Sequence, residues 1–420
     1  MKKGLRFIGL PLLIIIFNLF FCCNSFSQQL DKTGNLSINL TTDSSVNKKK
    51  EIKQVDFPEV VKKVFRSKKN TRDSSGNHFS LLPAAGYSLQ TGFALLFSIS
   101  GTFYAFKNPA TDSHISTLVS SLTYSQYNQI IFPMQTDLWS KSGLYNYIVD
   151  WRFMEYPSTT FGLGGKTTLN DGYTINFNYL KLHQSIMRRI SKNLFGGMGF
   201  YYDALWNVKE IGVDSSVKTS FDRYGFQKKI HAAGVAIRLQ YDSRDNPVNP
   251  LKGTFLNIVY RPNRIWMGSS NNWNSFLDEY RGYFHLTSRS KNVLAIWSYN
   301  WLTVGKGKPP YLLLPSTGWD DFFNTGRGYV QGRYRGKDMI YGESEYRFGI
   351  SKNGLLGGVV FANTQSFSSR LNRQLRLFSP GFGAGARIKF NKFTNTNLCI
   401  DYGMGIDGSK GFAVNLGEVF

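Results

Sequence analysis

The sequence has 420 residues, of which 15% are aromatic and 18% are charged, and its formal net charge is +23. This length fits one large domain or two ordinary ones. A positive charge of this size is typical of proteins that bind nucleic acid or an anionic lipid surface. No zinc-finger spacing or RNA-binding signature appears, and the start of the chain argues for export, so we expect no nucleic-acid partner.

Residues 1–27 have the pattern of a cleaved secretory signal peptide. Three basic residues among the first six precede an apolar run over residues 7–21, and Ser25 and Ser27 supply small side chains for cleavage after Ser27. A retained anchor is the alternative, but the run is shorter than the roughly 20 residues that span a bilayer. Lipidation at Cys22 or Cys23 is a weaker alternative, because Phe21 is a poor residue before a lipidated cysteine.

Removal of the signal peptide leaves Cys399 as the only cysteine, so no disulfide can form within the mature chain. No later stretch approaches 18 consecutive apolar residues, which argues against helical membrane spans. A closed barrel is then the only membrane architecture in which every backbone polar group finds a partner.

Residues 28–78 are rich in polar and basic side chains and are predicted to form a mostly disordered periplasmic tail. Five apolar residues within it recur at helical spacing around Pro58, which occupies a first-turn position and predicts a short amphipathic helix. Packing under the barrel rim is one role for this helix, and docking a partner or plugging the lumen is the other. The five residues are Phe57, Val60, Val61, Val64 and Phe65.

The remaining chain, residues 79–420, consists of segments of about ten residues that alternate apolar side chains with polar ones or glycine. Near the end, for example, Leu398, Ile400 and Tyr402 alternate with Cys399 and Asp401. A soluble sandwich also alternates, but the many aromatic residues are explained more simply as membrane-interface girdles. About 340 residues at about 20 per strand and connection predict about 16 strands. We therefore predict an all-β fold, a transmembrane antiparallel barrel in the bacterial outer membrane.

The basic excess suits the lumen and the lipid-headgroup edges of such a barrel, and a specific contact with lipopolysaccharide phosphates is the alternative. The five histidines lie scattered without metal-ligand spacing. The run Gly342–Tyr346 lacks the closing glycine of a nucleophile elbow, and no glycine-rich phosphate loop is present. We predict that the protein is not an enzyme and carries no metal or cofactor.

A polar turn follows one predicted strand and carries two acidic residues and an arginine, and a proline and a glycine close it. Aspartate side chains hydrogen-bond their own backbone in such turns, while proline and glycine set the turn geometry. Alone, this is an ordinary hairpin. The run from Gly234 to Gly253 nevertheless resembles the tyrosine, aspartate, arginine, aspartate turn of the BamA/TamA-type barrel superfamily, the bacterial surface antigen family. The residues of the motif are Tyr241, Asp242, Arg244, Asp245, Pro250 and Gly253.

The run Arg327, Gly328, Tyr329 resembles the arginine, glycine, aromatic motif on the long sixth extracellular loop of that superfamily. The resemblance implies a loop that enters the barrel, where its arginine binds acidic or polar residues of the wall. A guanidinium in a partly dry lumen needs a fixed partner, and its planar fork suits carboxylates. Glu343 and Glu345 on the next strand are the candidates, and a solvated loop charge is the alternative.

One strand further on, the chain departs from the superfamily pattern. Asn363 stands where the family has an aspartate, and Gln365 stands where it has a glycine. Asn363 can accept a hydrogen bond but supplies no charge. We therefore expect Arg327 to bind the barrel wall more weakly, or to bind Glu345 instead.

The last predicted strand, Gly411–Phe420, places alternate apolar residues on one face and finishes on an aromatic residue, which resembles the targeting signal read by barrel-assembly machinery. This register puts Glu418 on the lipid-facing side. In the family, the first and last strands pair weakly and form a lateral gate. Here the first strand would be Pro83–Ser88. The residues expected at the seam or in the targeting signal are Gly86, Tyr87, Phe412, Val414, Leu416 and Phe420.

Assembly and secretion barrels of this superfamily carry periplasmic POTRA domains, which capture client strands by strand addition. The tail here is too short for one, so we expect a variant without them. The resemblance implies a barrel that assists outer-membrane protein assembly or insertion, or surface export. Its expected partners are membrane lipid, a periplasmic or outer-membrane protein, and client β-barrels or exported proteins. A non-gating scaffold subunit of an envelope complex and, less favoured, a diffusion channel are the alternatives.

Overall fold

The computed structural model describes residues 54–56, 78–88, 91–106, 116–214, 216, 218–286, 292–369, 374–392 and 395–420. Within these ranges the chain is dominated by long antiparallel strands. The predicted signal peptide and the amphipathic helix of the tail lie outside the described residues.

The described residues form 17 strands, and each pairs antiparallel with a neighbour along the chain. The three-residue β6 continues the pairing of β5 on β7, so the wall has 16 strands, and the predicted barrel of about 16 strands is confirmed. The strands are β1 (His78–Ser88), β2 (Gly92–Phe103), β3 (Ser116–Ser125), β4 (Ile130–Trp139), β5 (Tyr145–Glu155), β6 (Ser158–Thr160), β7 (Tyr173–Arg189), β8 (Leu194–Ile211), β9 (Ile230–Asp242), β10 (Gly253–Asn263), β11 (Trp273–His285), β12 (Val293–Val304), β13 (Asp338–Gly349), β14 (Leu356–Ser369), β15 (Gln374–Asn391), β16 (Thr396–Gly405) and β17 (Lys410–Leu416).

Helices occur only in connections of the described chain. The α-helix α1 spans Ser220–Gly225, and three short 3₁₀ helices span Leu169–Asp171, Ile265–Met267 and Tyr311–Leu313. Thr219 caps α1 by accepting a hydrogen bond from the Asp222 amide. Within the described residues, no helix has both the length and the apolar character needed to cross a membrane.

The two faces of the wall differ in polarity, because successive side chains of a strand point to opposite sides. Along β2, for example, the outward side chains Phe93, Leu95, Phe97 and Ile99 are all exposed. The inward face carries buried charge, as at Lys181 on β7. An apolar outer face with a charged inner face is the reverse of the arrangement in a soluble protein and is typical of a transmembrane barrel.

The three longest connections follow β5, β8 and β12, and we call this end of the barrel the loop end; the opposite end is the turn end. An apolar cluster lies at the loop end of the barrel. It combines side chains from β5 and the connection after it, β7, β8, α1, β9 and the β12–β13 loop. Its buried members are Met154, Tyr156, Ile175, Phe177, Leu205, Val208, Phe221, Tyr224, Ile230, Tyr311, Leu312 and Leu314.

The first and last strands meet at a seam. β1 and β17 are neighbours, but within the described residues no register of paired residues joins them, in contrast to every other adjacent pair of strands in the wall. β1 is longer than predicted and begins at His78, whereas β17 ends at Leu416. The barrel is therefore nearly, but not fully, closed.

The chain leaves the wall at Gly417, whose φ of +94° is a left-handed conformation that favours glycine. The prediction of one strand over Gly411–Phe420 is therefore wrong. Phe420 does not share the outward face of Phe412; it lies in the lumen, 4% exposed, with its ring stacked on Trp297 at 5.2 Å. The Glu418 side chain is likewise buried inside the barrel rather than facing lipid. We call residues 417–420 the inner segment.

Candidate functional site

The β12–β13 loop, residues 305–337, enters the lumen and places Arg327 against the inner wall. The Arg327 guanidinium forms ion pairs with Glu343 and Glu345 on β13 and with Asp401 on β16, the last with 2.8 Å between Nη1 and Oδ2. Its carbon Cζ lies 3.7 Å from the centre of the Phe361 ring. The two glutamates are those that the sequence suggested, whereas Asp401 was missed.

Asn363 contacts the same arginine, but in a different way from the expected one. Its Nδ2 donates to the backbone carbonyl of Arg327 at 3.1 Å, so the side chain positions the loop backbone rather than accepting from the guanidinium. Asp401, two strands further along the wall, supplies a third carboxylate for the guanidinium. Gln365 accepts from the Thr317 hydroxyl at 2.9 Å and holds another part of the loop.

Arg327 belongs to a larger buried ion network of three arginines and four carboxylates. Arg387 reaches Asp401 at 2.5 Å and Glu418 at 2.8 Å. Arg347 pairs with Glu345 at 2.6 Å and donates to the Phe420 carbonyl at 3.0 Å. Buried charges are tolerated when each finds partners, and removal of one leaves the others uncompensated. The network therefore joins the loop to the inner segment.

The loop seats on a bare patch of wall, formed by Gly381 and Gly383 on β15 and their register partners Gly405 and Gly403 on β16. A Cβ at Gly403 would lie 2.7 Å from the backbone nitrogen of Gly328, and one at Gly405 would collide with the Tyr329 ring. We call these four residues the glycine patch. Glycine allows this close approach of loop and wall, because a side chain would hold them apart.

Gly328 and Tyr329 complete the motif. Gly328 has a φ of +95°, and a Cβ there would lie 2.8 Å from the Met404 nitrogen. The Tyr329 hydroxyl donates to the Pro380 carbonyl at 2.5 Å and accepts from the Ile406 amide at 3.1 Å. The three motif residues thus have separate tasks: the arginine binds charge, the glycine permits approach and the tyrosine bridges β15 to the β16–β17 turn.

A second anchor of the loop lies across the lumen. Lys181 on β7 forms ion pairs with Asp321 of the loop at 2.9 Å and with Asp150 of β5 at 2.7 Å. The Lys181 ammonium holds the pKa of the Asp321 carboxyl well below its usual range. The Asp321 side chain is 64% exposed to the lumen. Its ion pair with Lys181 is therefore hydrated and weaker than the ion pairs of Arg327.

Beside this anchor the lumen holds a cavity of about 580 Å³. Aromatic and charged side chains line it, including Tyr201, Asp203 and Arg261. His183 lies between Asp203, at 3.1 Å, and Arg261, and its ring stacks on Tyr201. Among the described residues no group of His, Cys, Asp and Glu is arranged to hold a metal ion.

The predicted family turn lies at the turn end between β9 and β10. Arg244 binds Asp242 at 2.7 Å, and Asp245 accepts from the Leu251 amide at 3.0 Å. Pro250 is buried, Gly253 has a φ of +107°, and Tyr241 pairs in the wall with Leu194 and Leu256.

This turn also reaches across the barrel, which its sequence did not indicate. The Asn249 amide group donates to the Asn395 carbonyl at 3.0 Å, and the Val248 carbonyl accepts from the Glu418 amide at 3.2 Å. The β9–β10 turn therefore contacts the inner segment at the turn end of the barrel.

Of the residues predicted at the seam or in the targeting signal, five lie on β1 and β17, whereas Phe420 lies in the lumen. Tyr87 packs edge-on against Phe93 at 5.2 Å, and Gly86 has open space where a side chain would be. On β17, Phe412 and Leu416 are exposed outward and Val414 is half-buried. A cavity of about 190 Å³ lies between β17 and the loop.

No protein-family model and no curated protein matches the sequence. Solved structures do match. BamA from Haemophilus ducreyi lacking POTRA domains 1–3 aligns with a TM-score of 0.54 and 14% identity, over 82% of this chain and 69% of that chain. The barrel has the fold of BamA. The predicted resemblance to the BamA/TamA-type barrel is thus confirmed at the level of the fold.

Two CdiB structures are similar to this BamA-like barrel to the same degree. CdiB from Acinetobacter baumannii gives a TM-score of 0.53 at 14% identity, and CdiB from Escherichia coli gives 0.54 at 10% identity. Each alignment covers 82% of this chain but only 60% and 62% of the respective CdiB chain. The chain therefore spans less than two thirds of the CdiB proteins that it matches.

Proposed function

We propose that this BamA-like barrel lies in the bacterial outer membrane and assists the assembly of outer-membrane proteins or their export to the surface. Client strands add at the seam between β1 and β17. The observation that carries the proposal is that these neighbouring strands share no paired residues in the described chain. Strand edges with free backbone groups are templates for another strand, and strand addition is a common mode of polypeptide recognition.

The outward apolar face and the fold support the membrane location. Exposed apolar side chains recur on strands around the wall, as at Leu95, Phe153, Ile237 and Phe382. Such a band is stable only against lipid. The basic excess of the sequence suits contact with anionic headgroups, lipopolysaccharide phosphates included. The proposed role is mechanical and requires no reaction chemistry or cofactor.

Crosslinking across the seam tests the proposal. With Cys399→Ser as background, Ala85→Cys on β1 and Val414→Cys on β17, which both lie on the outward face of the wall, form the seam pair. Ala384→Cys and Tyr402→Cys, which are register partners on β15 and β16, form the matched control pair in the closed wall. We expect an incomplete yield for the seam pair that falls when the cell is overloaded with client proteins, and a constant yield for the control. A complete seam yield that ignores client load would contradict gating.

A scaffold role is the second candidate, and the contacts of residues 54–56 favour it. The Val55 amide donates to the Asn353 carbonyl at 3.2 Å, and Asp56, 6% exposed, accepts from the Lys392 amide at 3.3 Å. The segment before the barrel is thus fastened to the turn end, where a periplasmic partner could bind it. Deletion of residues 28–70 should abolish co-purification of partners from a scaffold. An autonomous assembly barrel should keep its client contacts after the same deletion.

A further inference from the structure

One residue of the long loop, Asn324, contacts both β17 and the inner segment. The Nδ2 of Asn324 donates to the Val419 carbonyl at 2.8 Å, and its Oδ1 accepts from the Asn415 side chain at 3.4 Å. These two contacts flank Gly417, where the chain turns out of the wall. Asn324 therefore holds, from inside the barrel, the bend that ends β17.

Two arginines connect the same bend to the carboxylates that bind Arg327. Arg387 binds Glu418 and also Asp401, which is a partner of Arg327. Arg347 binds the Phe420 carbonyl and also Glu345, another partner of Arg327. Each carboxylate in the middle of the network is thus shared between the loop and an arginine that holds the inner segment.

Sharing makes the two attachments interdependent. If Arg327 leaves, Glu345 and Asp401 remain buried with only Arg347 and Arg387 as cationic partners, and these arginines are drawn away from the inner segment. If the inner segment leaves, Glu418 no longer neutralises Arg387, which then competes with Arg327 for Asp401. Networks of buried charges in a low dielectric behave cooperatively for this reason.

We propose that the loop apex, residues 320–329, and the inner segment are released as one unit, with Asn324 as the positioning residue that joins them. On release, residues 417–420 can return to the wall beside the part of β1 that begins at His78, so that β17 lengthens along the seam. The consequence for the seam rests on the proposed function. The coupling between loop and segment does not.

Hydrogen exchange of the full barrel measures this coupling. The reporters are the hydrogen-bonded amides of Tyr329 in the apex and of Gly417 and Glu418 in the inner segment. The barrel is reconstituted in phosphatidylethanolamine and phosphatidylglycerol vesicles, and exchange is followed by mass spectrometry of peptides over 320–331 and 410–420. Asn324→Ala removes only neutral contacts. Glu418→Gln removes one charge of the network.

We expect each variant to raise the exchange rate of both peptides by a similar factor, about tenfold or more, since cooperative units open together. The double variant should fall short of the product of the two single effects, as for coupled sites. Asp203→Asn is the matched control: it neutralises a buried lumen carboxylate held by His183 and Arg261 on another part of the wall, and both peptides should keep their rates.

Faster exchange in the inner segment alone, with the apex unchanged, would overturn the coupling. If the Glu418→Gln variant does not insert into the vesicles, the Asn324→Ala variant still tests the coupling, because it leaves every charge in place. Seam crosslinking in the same variants separates the two proposals. If hydrogen exchange rises in both peptides but the seam crosslinking yield does not change with client load, the coupling is supported and gating at the seam is contradicted.

Discussion

Arg327 shows at the level of one residue why this lumen needs a guanidinium. Its single planar group meets three carboxylates and the Phe361 ring. Asn363 holds the backbone carbonyl of the same residue. An ammonium carries the same charge but cannot serve several partners in a fixed fork. The arrangement therefore depends on geometry as much as on charge.

Arg327→Gln should destabilise the barrel by about 3–5 kcal/mol, because it leaves buried carboxylates without their partner. Arg327→Lys should recover part of this loss, since the charge remains and the fork is lost. Urea unfolding in detergent, followed by the gel mobility of the folded form, measures both. Arg244→Gln is the control: its partner Asp242 is 28% exposed, and the expected loss is about 1 kcal/mol or less. Equal losses of stability in the Arg327→Gln and Arg244→Gln variants would show that the loop arginine is solvated.

At the scale of elements, the loop and the wall fit because β15 and β16 present glycines to each other and to the lumen. The glycine patch replaces a layer of side chains with bare backbone, and the loop backbone fills the space. The charged contacts of Arg327 are possible only at this short separation.

Gly403→Ala should lower stability by about 1–3 kcal/mol, because its Cβ would meet the backbone of Gly328, which cannot yield as a flexible side chain could. It should also expose the loop to limited proteolysis from the cell surface. Gly342→Ala is matched in residue type and strand context, but a Cβ there meets nothing within 4 Å. That control should be neutral or stabilising by up to about 1 kcal/mol. An unchanged protease pattern for Gly403→Ala would refute the seating of the loop.

For the whole molecule, the loop and the apolar cluster occupy a lumen that would otherwise be wide. Barrels of 16 to 18 strands enclose an aqueous channel when nothing fills them. Here Tyr311, Leu312 and Leu314 of the loop pack into the cluster at the loop end, and Arg327 fastens the loop near the middle.

Replacement of residues 306–336 by a short glycine and serine connection should therefore raise single-channel conductance in planar bilayers by roughly several-fold, toward that of an open barrel. The unmodified chain should show small or flickering currents. Insertion is checked by heat-modifiable gel mobility, so that a failed fold is not counted as a closed channel. A large, steady conductance of the unmodified chain would instead favour a diffusion channel.

The barrel was predictable because strand alternation is local: Leu398, Cys399, Ile400 and Asp401 reveal two faces without any knowledge of their neighbours. The loop motif and the two glutamates were predictable because they resemble a known pattern and lie close together in sequence. Asp401 was missed because its contact with Arg327 joins residues 74 positions apart.

The inner segment was mispredicted because its alternation is real but the backbone is not extended. Val414, Leu416 and Phe420 fit one strand face, and only the single glycine at position 417 marks the bend. A glycine in a strand can mean a bulge, a close approach or nothing. The buried ion partners that decide for a bend, Arg387 and Arg347, belong to other strands.

The ion network also sets an order in time. Arg327 precedes every one of its carboxylate partners in the chain, and the most distant, Asp401, belongs to the second-last strand. The loop cannot be fastened until nearly the whole chain has been delivered, and contacts of such long sequence separation form slowly. During that interval the arginine and its carboxylates remain hydrated, so nascent β13 to β16 pair without these ion bridges. Fastening of the loop is therefore one of the last steps in the maturation of this protein, and a stalled intermediate should be a nearly complete wall whose long loop is not yet bound.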